Sequence, residues 1–237
     1  MKEKTQPKAR IVVIDDHPLL SQGLMQLLCS QPDLECTGTA DNTADARRLV
    51  TQSVPDLMIL DLRLKGGDTL DLIKSLRVEH PDLKVLVLSQ YDEMLFAERV
   101  LRAGASGYVM KENATDEILN AVRRVLAGDI YFSQRIGATF IRRSLEEKPA
   151  VPRIGVERLS DRELQVFQLI AASFSTREIA EQFHLSVKTV ETHRENIKSK
   201  LGLESAAELN EFARTWAHEN LLPQLQPTTR ATKPHRK

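Results

Sequence analysis

Through its first 130 or so residues the chain repeats one pattern, a short run of β-favouring apolar residues followed by a stretch in which apolar positions recur three and four apart. The short runs lie at 11–14, about 34–38, 57–60, 85–89 and 107–110. Runs 11–14 and 57–60 are apolar throughout, as strands buried on both faces are. Between the runs the spacing is helical, as in Leu20, Leu24, Leu27 and Leu28, or Ile118, Ala121, Val122 and Val125. Five strands alternating with helices predict a doubly wound α/β domain with a five-stranded parallel sheet. The pattern fails between 128 and 157, where Pro149, Pro152 and the charged stretch 142–148 predict a linker with one or two helical turns. From Leu159 onward everything reads as helix, an all-α domain. The expected organisation is therefore a domain over 9–128, a linker over 129–157, a helical domain over 158–222 and a disordered basic tail over 223–237, which has three prolines.

Composition adds bounds. The length of 237 residues suits two domains. Lys and Arg balance Asp and Glu at 33 each, but residues 1–132 carry 16 cations against 20 anions and the remainder 17 against 13. A basic second half raises the idea of an anionic partner. No apolar run approaches the ~20 residues that span a bilayer, and residues 1–10 are charged with no leader-like core, so a cytoplasmic protein with no membrane partner is expected. Cys29 and Cys36 suit neither a metal knuckle nor a disulfide framework and read as reduced core thiols.

Ligands of open parallel sheets bind at the carboxyl ends of strands, so the residues just after each run carry the candidate chemistry. They are Asp15 and Asp16, Asp61, Ser89 and Lys111. Three carboxylates converging at one edge repel unless a cation sits among them, and oxygen donors with room for water favour Mg2+. Lys111 supplies a point charge for a phosphoryl oxygen and Ser89 a hydroxyl for another, a set suited to a carboxylate nucleophile that captures a phosphoryl group.

Asp15-Asp16-His17-Pro18, then Pro55-Asp56-Leu57-Met58-Ile59-Leu60-Asp61-Leu62, Val87-Leu88-Ser89 and Gly104-Ala105-Ser106-Gly107-Tyr108-Val109-Met110-Lys111, in that order, resemble the receiver domain of two-component response regulators over about 120 residues. The resemblance implies that Asp61 is the phospho-acceptor and that Asp15, Asp16, Asp61 and the Arg63 main-chain carbonyl hold Mg2+. It makes Ser89 and Tyr108 the switch pair and Lys111 the phosphoryl-contacting lysine. A histidine kinase or phosphotransfer protein is the implied donor. The chain departs from the family with Lys65 and Thr69 where proline and glycine are usual, beside Gly66-Gly67, which predicts a more mobile loop. His17, at a helix start, reads as a surface or capping residue, and Arg63, two residues after Asp61, argues against a phosphohydrolase, which would carry a second carboxylate there.

In the second half Ser160-Asp161-Arg162-Glu163 and Ser175-Thr176-Arg177-Glu178 fit capping boxes, and Ser186 is a third N-cap. A short helix, a turn at His184-Leu185 and a longer helix give helix-turn-helix spacing, with Ile179, Leu185, Val190 and Ile197 as core contacts, His193 and Leu201 packed beside them, and a stop near Gly202. Leu159-Ser160-Asp161-Arg162-Glu163-Leu164-Gln165-Val166, then Ser175 to Ala180, Leu185 to Arg194 and Lys200-Leu201-Gly202-Leu203 resemble a LuxR-type helix-turn-helix, with Ser173 where glycine is usual. Domain order resembles the NarL/FixJ type of response regulator. A recognition helix enters the major groove by its first turns, which nominates Lys188, Glu191, Thr192 and Glu195 for base edges and Thr189, Arg194, Lys198 and Lys200 for phosphates. The last helix, with Trp216, reads either as a pairing surface on DNA or as core of its own domain.

The expected protein is a transcription regulator and not an enzyme, switched by phosphorylation of Asp61 and dimeric on DNA. The alternative is a phosphorylation-independent DNA-binding regulator whose receiver serves as a dimerisation module.

Overall fold

The computed structural model describes residues 7–64, 68–91, 93–145 and 155–221. The chain divides into two compact units that part near residue 153. The first holds β1 (Ala9–Ile14), α1 (Pro18–Cys29), β2 (Leu34–Ala40), α2 (Thr43–Ser53), β3 (Leu57–Leu60), α3 (Thr69–Glu79), β4 (Lys84–Ser89), α4 (Glu93–Ala103), β5 (Gly107–Met110), α5 (Ala114–Leu126) and α6 (Gln134–Leu145). All strand pairs are parallel, in the order β2-β1-β3-β4-β5. Every residue of β3 is buried, as is each apolar residue of β1 from Ile11 to Ile14, because helices cover both faces. Ile11, Val13, Leu57, Ile59, Leu86 and Leu88 face Leu24 and Leu28 of α1 and Ile118, Val122 and Val125 of α5 in one continuous core. Local chemistry starts the helices where the strands leave off. Pro18 opens α1, while Asn42 and Asp68 accept hydrogen bonds from the Asp45 and Leu70 amides at the heads of α2 and α3.

Two sequence expectations change here. Cys29 and Cys36 are paired as a disulfide, not separate core thiols, because a four-residue connection returns β2 beside the end of α1 and brings their Cα atoms to 5.7 Å. The stretch expected to carry one or two helical turns contains the twelve-residue α6, and the segment before it lies along the sheet. Tyr131 forms a parallel bridge with Gly107, its N–H donating to the Ser106 carbonyl and its carbonyl accepting from the Tyr108 N–H. A Cβ on Gly107 would fall 2.8 Å from that Tyr131 oxygen, so only glycine admits this cover. Glu93, at the head of α4, accepts from the Ser133 N–H at 2.8 Å, which ties the start of α6 to α4, and Phe132 folds back edge-on against Phe140 of α6.

The second unit holds α7 (Asp161–Ala171), α8 (Thr176–Phe183), α9 (Val187–Leu201) and α10 (Ala206–Leu221). Both capping boxes form: Glu163 accepts from the Ser160 N–H and Glu178 from the Ser175 N–H, each at 2.7 Å, and the serine hydroxyls accept in return. Ile179, Val190, Ile197, Leu209 and Ala213 are fully buried, and Leu185 is half-buried. Phe167 of α7, fully buried, meets the half-buried Phe212 and Trp216 of α10 at 6.1 and 5.4 Å, so Trp216 packs onto the core of its own unit. Ser173 takes a φ of +66°, the left-handed region where glycine costs nothing, which accounts for a glycine being usual at that position. Among the described residues no helix is long and apolar enough to cross a membrane. The expected tail, 223–237, and Lys65 to Gly67 lie outside the described residues.

Candidate functional site

The strand order reverses between β1 and β3, and the two residues that follow those strands, Asp15 and Asp61, are aimed at the resulting crevice. Backbone bonds prolong the ladder past the strand ends: Asp15 N–H donates to the Ala40 carbonyl and Asp61 N–H to that of Ile14, so both carboxylates leave from fixed peptides. Asp15 and Asp61 are 4% and 3% exposed. Lys111, the first residue after β5, reaches across with Nζ 2.6 Å from Asp61 Oδ2 and 2.7 Å from Asp15 Oδ2. Arg63 donates its N–H to Asp61 Oδ1 at 3.1 Å.

Burial pushes the Asp61 carboxyl up to about 6. The nearby Lys111 ammonium opposes that rise and the Asp15 carboxylate adds to it. Two buried oxygens in the cluster, Asp15 Oδ2 and Asp16 Oδ1, accept no aligned hydrogen bond, so the pocket has more negative charge and lone-pair capacity than its protein donors satisfy. That surplus, on oxygen donors from three carboxylates, fits a hard divalent cation.

Ser89 and Tyr108, both 1% exposed, converge on the backbone of one residue, Tyr91. Ser89 Oγ accepts from the Tyr91 N–H at 3.2 Å, and the Tyr108 hydroxyl donates to the Tyr91 carbonyl at 2.6 Å. Thr69, where the family favours glycine, buries its hydroxyl and donates to the Leu62 carbonyl at 2.5 Å, while the mobility expected of the loop itself falls on Lys65 to Gly67, outside the described residues.

The sequence reading missed His17. It occupies the N-cap position of α1 but makes no capping bond, and its Nδ1 lies 2.9 Å from both Asp15 Oδ1 and Asp16 Oδ1. The same atom is 3.9 Å from Asp61 Oδ2 and 3.5 Å from Lys111 Nζ. The available signal was its place between two strand-end carboxylates and Pro18, which starts the helix immediately and leaves the ring over the strand end.

In the second unit α9 starts at Ser186, whose hydroxyl accepts from the Thr189 N–H at 3.0 Å, and ends at Gly202, with a φ of +72°. Val190 and Ile197 are buried, which leaves Lys188, Glu191, Thr192 and Glu195 exposed on one face, as expected. Each of the four residues assigned to phosphates has a partner within the protein. Thr189 is half-buried and its hydroxyl bonds Ser186 Oγ, Arg194 donates to Asn210 Oδ1 on α10 at 2.9 Å, and Lys198 pairs with Glu195 at 3.0 Å. Lys200 turns toward α7, with Nζ 2.5 Å from Glu163 Oε2. Although burial raises the Glu163 carboxyl, Lys200 and Ser160 outweigh it and hold it below its ordinary value. His193 packs half-buried, and burial, reinforced by Arg162, lowers its imidazole.

An acidic crevice with a bridging lysine on a 2-1-3-4-5 sheet, joined to a capped helix-turn-helix, defines the DNA-binding response regulators of two-component systems. Residues 11–123 match the response regulator receiver domain and residues 157–213 the bacterial regulatory proteins of the luxR family, and the chain belongs to this family. It is 36% identical over 208 residues to the oxygen regulatory protein NreC of Staphylococcus carnosus, covering 86% of this chain and 96% of the relative. The fold is shared with the RcsB response regulator of Salmonella typhimurium, at a TM-score of 0.66 and 22% identity over 89% of this chain and 98% of the other. RcsB has also been solved bound to promoter rprA in the presence of the phosphomimetic BeF3−, and that chain is similar at a TM-score of 0.60 and 23% identity over 87% of this chain and 98% of the other.

Proposed function

We propose that this chain is a phosphorylation-switched transcription regulator of the cytoplasm, in which Asp61 accepts a phosphoryl group from a partner histidine kinase or phosphotransfer protein. The observation that carries this reading is the desolvated Asp61 carboxyl held 2.6 Å from the Lys111 ammonium at the sheet's switch point. The carboxylate oxygen of Asp61 attacks phosphorus, the bond from phosphorus to the donor nitrogen breaks, and the donor histidine leaves with its electron pair. Lys111 balances charge on the transferred group. A Mg2+ ion held by Asp15, Asp16, Asp61 and the Arg63 main-chain carbonyl would cancel carboxylate repulsion and stabilise charge on the phosphoryl oxygens.

The switch follows from the backbone of Tyr91. A phosphoryl oxygen that draws the Ser89 hydroxyl takes it from the Tyr91 N–H, and movement of the freed residue shifts its carbonyl, the partner of the Tyr108 hydroxyl. We read this as a stoichiometric switch, not a turnover enzyme, that favours a homodimer on DNA. In the second unit Lys188, Glu191, Thr192 and Glu195 read base edges, with Thr189, Arg194 and Lys198 nearer the backbone.

Incubation with acetyl phosphate and Mg2+ tests the reading. Wild type should label, Asp61→Ala should fall to background, and DNA affinity and sedimentation should rise with labelling in wild type alone. Sound protein that binds DNA but labels from neither acetyl phosphate nor a kinase would overturn phosphorylation control. Two lysines on α9 separate by readout. Lys188→Ala should weaken DNA binding by about 1–3 kcal/mol. Lys200→Met, by removing the partner of buried Glu163, should lower the stability of the helical unit by about 1–3 kcal/mol in denaturant unfolding.

A further inference from the structure

We infer that His17 is a nitrogen ligand of the acidic pocket and sets its metal preference, moving it from Mg2+ toward Mn2+, Co2+ and the other borderline divalent ions of the first transition row. The inference rests on the proposal that the pocket holds a divalent cation. His17 heads α1, but its ring serves no cap. Nδ1 instead sits 2.9 Å from one oxygen of Asp15 and 2.9 Å from one of Asp16. Metal bonds of about 2.0–2.1 Å at right angles place neighbouring donor atoms about 2.9 Å apart, and both distances from Nδ1 to these carboxylate oxygens have that value. One donor atom from each of Asp15, Asp16, His17 and Asp61 falls within a single 4.8 Å cluster.

The charge in the pocket points the same way. Asp15 Oδ2, on a side chain 2% exposed, and Asp16 Oδ1 take no aligned hydrogen bond, although Lys111 Nζ is 2.7 Å from the first and His17 Nδ1 2.9 Å from the second. The ring is 38% exposed, so solvent and a cation reach it without rearrangement of the core. An oxygen-only pocket discriminates little between Mg2+ and Mn2+ beyond size, whereas one imidazole among carboxylates adds affinity in the order Mn2+ < Co2+ < Ni2+ and little for Mg2+. In a cell, a bound transition ion would then compete with Mg2+ for this receiver.

The test is equilibrium binding of Mg2+ and of Mn2+ to the full chain, with pulsed electron paramagnetic resonance of the Mn2+ form. Wild type should show nitrogen coupling to Mn2+. His17→Asn and His17→Ala should lose that coupling and weaken Mn2+ and Co2+ about tenfold, while Mg2+ changes by less than about twofold. Nitrogen coupling that persists in both variants, or Mg2+ and Mn2+ affinities that fall by the same factor, would overturn nitrogen ligation, the second by reducing His17 to a residue that positions the carboxylates. Asp15→Asn serves as the site control. Wild type that binds Mg2+ no better than this variant would sink the cation reading itself, an outcome distinct from an unchanged preference.

Discussion

Asp61→Asn is expected to make the metal-free protein harder to unfold near neutral pH, even as it abolishes phosphoryl acceptance. The Asp61 carboxyl titrates near 6 in the folded protein, raised from 3.8 chiefly by burial despite the opposing Lys111 charge. Between those values the folded chain holds a proton that the unfolded chain has released, so stability falls as pH rises through the window. Above it the ionised group costs about 3 kcal/mol, at 1.36 kcal/mol for each pH unit. The amide removes that cost but leaves Lys111 with Asp15 as its remaining carboxylate partner, so a net gain of about 1–3 kcal/mol is expected. Below pH ~4 both forms are neutral and the gain should vanish. Added Mg2+ should also narrow it by stabilising wild type. Denaturant unfolding across pH, with and without Mg2+, measures all three; an Asn variant less stable than wild type at neutral pH would contradict the picture of a desolvated, over-charged pocket.

Phe167→Ala is expected to unfold the helix-turn-helix unit and leave the receiver standing. Phe167 is fully buried and meets both Phe212 and Trp216. Truncating such a ring costs about 3–5 kcal/mol, which is as much as a core of this size supplies. Trp216 is the one tryptophan of the chain, so its fluorescence reports this unit alone. The variant should shift that emission to the red, lose DNA binding and keep labelling at Asp61. Unchanged emission with intact DNA affinity would refute the assignment of Phe167 and Trp216 to the core.

The pattern of apolar runs was enough to locate the five strands and to place β3 and β5 residue for residue, because buried parallel strands need continuous apolar side chains. It fell short at the start of β1, where Ala9 and Arg10 pair with Leu34 and Glu35 through backbone alone. It fell short again at α6, which packs on α4 and lies in a stretch that Pro149, Pro152 and the charged run 142–148 marked as linker. Within the site, the rule that ligands gather at strand ends was sufficient for Asp15, Asp61, Ser89 and Lys111. It could not find His17, since the direction of that ring depends on α1 beginning one residue later. On α9 the exposed face was legible from spacing. The partners of Arg194 and Lys200, Asn210 and Glu163, lie on other helices, and a periodicity confined to one helix does not report them. The cysteine pair escaped for the same reason: spacing along the chain does not say that β2 returns beside the end of α1.

An open sheet of five parallel strands exposes two rims of unpaired amides and carbonyls, at β2 and at β5. Tyr131 closes part of the β5 rim with the chain's own backbone, and Gly107 is what lets it approach. A receiver cut at residue 128 would keep all five strands yet leave that rim bare, a template for edge-to-edge aggregation. One cut after Leu145 would keep that cover, and of the two rims the one at β2 would present the longer template.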